Sequence, residues 1–129
     1  TVLVELDTPW VMACCFGPAN MGKRLVASGG LDNDCTIHDV TSAMDHDATD
    51  TKVHKVTVLE GHKGNLSHCR FVGTSGNLYT ASGDGEVWRW DVNRAEKPVF
   101  KFQGHSGDVT SFDFIPGSES EFVTSSIDG

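Results

Sequence analysis

The segment GHKGNLSHCRF at residues 61–71 returns as GHSGDVTSFDF at residues 104–114, with its two Gly-His pairs 43 positions apart. A repeat of this period constrains the fold more than any single motif does. One such unit is too small to bury its own apolar face and must stack against its neighbours. A third stretch, WVMACCF at 10–16, fits the same place without a Gly-His, and aligning Phe16, Phe71 and Phe114 gives spacings of 55 and 43. A second element follows each of these as LVASGGLDN (25–33), LYTASGDGE (78–86) and FVTSSIDG (122–129). Its aspartates, Asp32, Asp84 and Asp128, lie 52 and 44 positions apart. A third element occurs as CTIHDV (35–40) and VWRWDV (87–92).

Each element reads as a strand. LSHCRF, LYTAS and EVWRWDV are short, rich in β-formers and bounded by Gly, Asp and Asn turns. No window carries a helical period. Apolar residues such as Val87 and Trp88 stand side by side, which suits a sheet packed on both faces. Gly-His near the start and Trp-Asp near the end of such a period mark four-stranded propeller blades. The chain therefore resembles an all-β WD40 β-propeller. Residues 1–129 read as one partial propeller domain, with repeats at about 1–59, 60–102 and 103–129, the last truncated. The polar segment 41–55 is expected to be a loop before an outer strand VTVLEG, which accounts for the longer first spacing.

Charge and composition narrow the function classes. The formal charge of −8 argues against nucleic-acid binding, which needs a basic footprint, and against attraction to an anionic membrane. No apolar run approaches the roughly 20 residues that span a bilayer, and TVLVELDTPW lacks the pattern of a signal peptide. Cys14, Cys15, Cys35 and Cys69 include no CxxC pair, so reduced, buried thiols in a cytosolic protein are expected. Cys14 and Cys15 would point to opposite faces of a strand. His46, Asp47 and His54 cluster in the acidic segment without metal-site spacing, and the SGDGE turn matches neither a P-loop nor an EF-hand. No metal and no cofactor are expected.

A WD40 blade of this pattern implies a chain of buried hydrogen bonds. Trp90 would donate to Ser82, Ser82 would bond His62, and His62 would bond Asp84. Leaving any such group unpaired costs about 1–3 kcal/mol. The third repeat supplies His105, Ser126 and Asp128. In the first, Gly30 replaces the serine and His38 the tryptophan, so that blade would have to be held mainly by packing. A Ser-His-Asp set also suggests hydrolysis, but these sets recur with the structural unit and no GxSxG elbow is present. The expectation is no enzyme.

WVMACCF (10–16), SGGLDNDCTIHDV (28–40) and EGHKGNLSHCRF (60–71) resemble the second and third repeats of heterotrimeric G-protein β subunits, and GHSGDVTSFDF resembles the start of the fourth. The resemblance implies a seven-bladed propeller, of which this chain would be a fragment of about three blades. It implies a signal transducer that binds a γ subunit permanently, and a GDP-bound α subunit and effectors on one face. Such a protein is cytoplasmic and peripheral at the inner face of the plasma membrane through its partners, with no membrane insertion of its own. The matching face positions are Trp10, Met12, Leu31, Asn33, Gly64 and Asp108, with departures at Lys63 and Asn65, where the family carries a small hydroxyl residue and a tyrosine. A fragment of this kind is expected not to fold stably as an isolated monomer. The competing expectation is a WD40 scaffold of another class, such as a ribosome-associated β-like protein or a ubiquitin-ligase substrate receptor.

Overall fold

Short runs of β-branched and aromatic residues between turn-forming Gly, Asp and Asn fold into antiparallel meanders, since each run is too brief for anything but a strand. The computed structural model describes residues 4–44 and 53–129. Among these the strands are β1 (Val11–Phe16), β2 (Leu25–Gly30), β3 (Cys35–Asp39), β4 (His54–Leu59), β5 (Leu66–Val72), β6 (Asn77–Ser82), β7 (Glu86–Asp91), β8 (Phe100–Gln103), β9 (Val109–Phe114) and β10 (Phe122–Ser126). They make two four-stranded sheets, β1-β2-β3-β4 and β5-β6-β7-β8, and a β9-β10 pair. The fold is all-β: two complete propeller blades and two strands of a third.

The first connection differs from the expected loop. Ser42–Met44 forms a 3-10 turn, and β4 begins at His54, inside the segment read as loop. His54 is thus a strand residue. His46 and Asp47 lie outside the described residues.

The core lies between blades rather than within one sheet. Leu25, Ala27, Cys35, Ile37 and Leu59 of the first blade pack against Leu66, Cys69, Leu78, Trp88 and Trp90 of the second. On the other face of the second blade, Tyr79, Ala81 and Val87 meet Val109, Phe112 and Phe114. Alternate residues of β6 therefore face different blades, which is why neither face of the strand meets solvent. Burying a side chain such as Leu66 or Leu78 contributes about 1.5–3 kcal/mol. Leu66→Ala would open the first core and cost about 2–5 kcal/mol.

The inner strands share one irregularity. Register shifts fall between Val11 and Ala13 in β1, between Leu66 and His68 in β5, and opposite Ser125 and Ser126 in the β9-β10 pair. Met12, Ser67 and Thr110 are thus the bulged residues of three successive blades. A bulge re-aims its side chain and tightens the local twist.

Candidate interaction face

Antiparallel order gathers the chain's turns at two ends. One end collects the approach to β1, the β2–β3 turn, the β4–β5 loop, the β6–β7 turn and the β8–β9 loop. Trp10, Leu31, Asn33, Lys63, Gly64, Asn65 and Asp108 all stand in these segments, and Met12 is the second residue of β1. Register makes three of them equivalent. Trp10, Asn65 and Asp108 each precede the first residue of an inner strand. Each also accepts a hydrogen bond on its carbonyl from the turn after the second strand. Leu31 donates to Trp10 at 3.2 Å, Gly83 to Asn65 at 2.9 Å and Ile127 to Asp108 at 3.1 Å.

The side chains of Met12, Asn65 and Asp108 draw together. The Asn65 amide donates to Met12 Sδ at 3.5 Å. A methyl built on Gly83 would lie 2.6 Å from Asn65 Oδ1 and 3.2 Å from Asp108 Oδ2, so a glycine is needed for that approach. Trp10 is 76% exposed, Leu31 56% and Met12 54%, which rules out a core role for all three within this chain. Trp10 also holds a φ of 50°, a conformation bulky residues rarely adopt. Asn33, at φ 70°, is a residue type that tolerates it and serves the β2–β3 turn, donating to Gly30. Gly64 is a packing position: its carbonyl accepts from Ser82, and a Cβ there would strike the Asp84 amide at 2.5 Å. The Lys63 amide donates to Asp84, while its side chain is exposed.

The face is also acidic. The Asp34 carboxyl is pushed upward by burial and by the nearby carboxylates Asp32 and Glu60. This acidic group was not apparent in the sequence, where the three residues fall in two separate segments.

The buried network differs from the expected one in its hydroxyl. Trp90 Nε1 donates to Thr80 Oγ1 at 2.9 Å, and His62 Nε2 meets the same oxygen at 2.8 Å. His62 Nδ1 faces Asp84 Oδ2 at 2.7 Å. The carboxylate only accepts, so Nδ1 carries the proton. The Thr80 hydroxyl, accepting from Trp90, is left to donate to Nε2. Ser82 lies one pleat nearer the loop, and its oxygen is occupied by the Gly64 carbonyl and the Asp84 amide. The third repeat corrects in the same way: His105 joins Asp128 at 2.9 Å and Thr124 at 2.8 Å, while Ser126 donates to Gly107. Burial alone would raise the Asp84 carboxyl, but His62 and the amides of Lys63 and Glu86 outweigh it and hold it below the usual range. With Thr80 fully buried and every partner engaged, the second blade's set has no exposed nucleophile.

The first blade keeps a remnant of this network. Thr8 and Ser28 share a hydroxyl hydrogen bond of 2.8 Å, with Ser28 at the place of Thr80. Packing is therefore not its sole support. His38 takes the place of Trp90, and both its ring nitrogens are buried without a partner among the described residues. Gly30 stands where Ser82 would because the Trp10 carbonyl would lie 1.9 Å from any Cβ. One expectation for the thiols also changes: Cys35 and Cys69 are buried, but Cys14 is exposed. Among the described residues no group of His, Cys, Asp or Glu is arranged to hold a metal, and no helix is long and apolar enough to cross a membrane.

Comparison with known proteins agrees with this geometry. The family described as "WD domain, G-beta repeat" matches residues 53–91 and 96–129. The chain is 35% identical over 99% of its length to the "Guanine nucleotide-binding protein subunit beta" of Zea mays. It is 37% identical, again over 99% of its length, to the proteins of that name from Solanum tuberosum and Arabidopsis thaliana. It spans about a third of the length of these curated relatives. With the repeated blades, the inner-strand bulges and the His-Asp-Thr sets, these matches establish that the chain belongs to the WD-domain, G-beta repeat family.

Proposed function

We propose that this end of the propeller is a protein-binding surface of a G-protein β subunit, docking the GDP-bound α subunit and, in turn, effectors. The observation that carries the proposal is a comparison between blades. The places held by Trp10 and Met12 in the first blade hold Asn65 and Ser67 in the second, and Asp108 and Thr110 in the third. Ser67 and Thr110 return their hydroxyls to backbone carbonyls of Ala81 and Ser125, so the fold is satisfied by polar residues at the bulge. A large exposed indole and thioether at these places are not demanded by folding. They supply the apolar contact area that interfaces concentrate in a few anchors. Asp32, Asp34, Glu60 and Asp108 stand in turns at the same end as those anchors and suit a partner segment bearing Lys or Arg.

On this reading the protein is a scaffold rather than an enzyme. It works at the inner face of the plasma membrane, held there through its partners, among them a γ subunit. The test is binding of GDP-loaded α subunit to the native protein carrying Trp10→Ala or Met12→Ala. Each is expected to weaken affinity by about tenfold or more with an unchanged melting temperature. Lys97→Ala, at the opposite end, is expected to change neither. Normal binding by both face variants would remove the proposal.

A further inference from the structure

Three of the four thiols converge where the first blade meets the second. Cys15 on β1 and Cys69 on β5 belong to the innermost strands of adjacent blades, 54 positions apart in sequence. Their sulfurs are 3.6 Å apart, with the Cys69 thiol donating to Cys15. Both are unbridged, and Cys35 is buried in the same cluster. Cys69 is 3% exposed, whereas Cys15 is half-buried on β1, the edge strand of its sheet. Cys14 points to the other face of β1, away from this core.

We infer that Cys15 and Cys69 form a reversible oxidation site, at which hydrogen peroxide converts two thiols into a disulfide that clips the first blade to the second. The Cys15 thiolate attacks one peroxide oxygen, the O–O bond breaks, and the departing hydroxide takes up a proton as water. Cys15 is then a sulfenic acid. The Cys69 sulfur attacks the Cys15 sulfur, an S–S bond forms, the S–O bond breaks, and a second water leaves with the Cys69 proton. Two thiols have lost two electrons, and one peroxide has become two waters.

The sulfurs must close from 3.6 Å to the roughly 2.05 Å of a disulfide, a shift that side-chain rotation and slight strand movement span. The surroundings keep the pair reduced at low oxidant. The hydrogen bond with Cys69, then burial, push the Cys15 thiol well up. For Cys69 the bond with Cys15 pulls down, but contact with Cys35 and burial prevail and raise it. Few thiolates exist at neutral pH, so the site responds slowly, and faster as pH rises. Once made, the bond constrains the unfolded chain and strengthens an interface otherwise held by apolar packing.

The experiment uses the native protein with Cys14→Ser, an exposed change that removes the thiol next to Cys15. After hydrogen peroxide treatment and alkylation, peptide mass spectrometry is expected to find Cys15 linked to Cys69, with the link lost on dithiothreitol treatment. The oxidised form is expected to melt at a higher temperature than the reduced one. With Cys15→Ala added, neither the link nor the shift is expected. Recovery of both thiols free, a sulfinic acid at Cys15 without a link, or a bridge from Cys35 to Cys69 would each overturn the inference.

Discussion

Thr80 illustrates how closely sequence reading approached the blade's interior and where it stopped. His62, Asp84 and Trp90 stand out because their types are uncommon and their spacing repeats. The hydroxyl between them does not, since LYTAS offers both Thr80 and Ser82 on one face of a strand. Choosing between residues two apart requires the register, and the register pairs Thr80 with Trp88 beside the His62 ring. The two assignments predict different mutants. Thr80→Val strips the Trp90 indole and His62 Nε2 of their partner in a fully buried place and is expected to cost about 2–4 kcal/mol. Ser82→Ala leaves that triangle intact and is expected to cost about 1 kcal/mol. Urea midpoints of the two variants decide it, and a larger loss for Ser82→Ala would reverse the assignment.

At the scale of the blade, the sequence was legible wherever the period held and obscure wherever one blade departed from it. The first blade's strands were recognised by their β-formers and turns. The replacement of Trp90 by His38, by contrast, shows its consequence only in three dimensions. Its two ring nitrogens have no partner among the described residues, and burial, aided by Lys55 and only partly opposed by Asp7, holds the ring below its ordinary value of 6.5. A histidine lowered on folding binds its proton more readily in the unfolded chain. Stability is therefore lost as pH falls below 6.5, and the loss grows until the folded value is reached. Asp84 acts in another window: its depressed carboxyl stabilises above 3.8, and that contribution fades only as pH falls through its still lower folded value. His68 on β5, lowered by burial and by Arg70 against the pull of Asp113, adds to the neutral-range slope. Urea midpoints at pH 7.5 and 5.5 are expected to show a clear loss in the native protein and a smaller one in His38→Phe. Equal losses in the two would mean that His38 is not the source.

At the scale of the molecule, charge and face act together. The formal charge of −8 was plain from composition, but its location was not, because Asp32 and Asp34 reach Glu60 only when the β2–β3 turn and the β4–β5 loop meet at one end of the sheets. The same convergence brings Met12 to Asn65 across 53 positions of sequence. On the proposed function, acidic turns at the same end as the apolar anchors would divide the work of association. Long-range attraction would orient a basic partner before contact, and the indole and thioether, exposed in the free protein, would be covered by the partner and hold it afterwards. Salt screens the first process far more than the second, since the Debye length shrinks from about 10 Å at 0.1 M to about 3 Å at 1 M. If the α subunit docks here as proposed, raising ionic strength from about 50 mM to about 500 mM is therefore expected to slow its association about tenfold and to change dissociation little. Trp10→Ala is expected to show the opposite division, with faster dissociation and nearly normal association. Stopped-flow association and dissociation traces separate the two. An association rate indifferent to salt would show that the carboxylates do not steer the encounter, and an unchanged dissociation rate in Trp10→Ala would show that the indole is not an anchor.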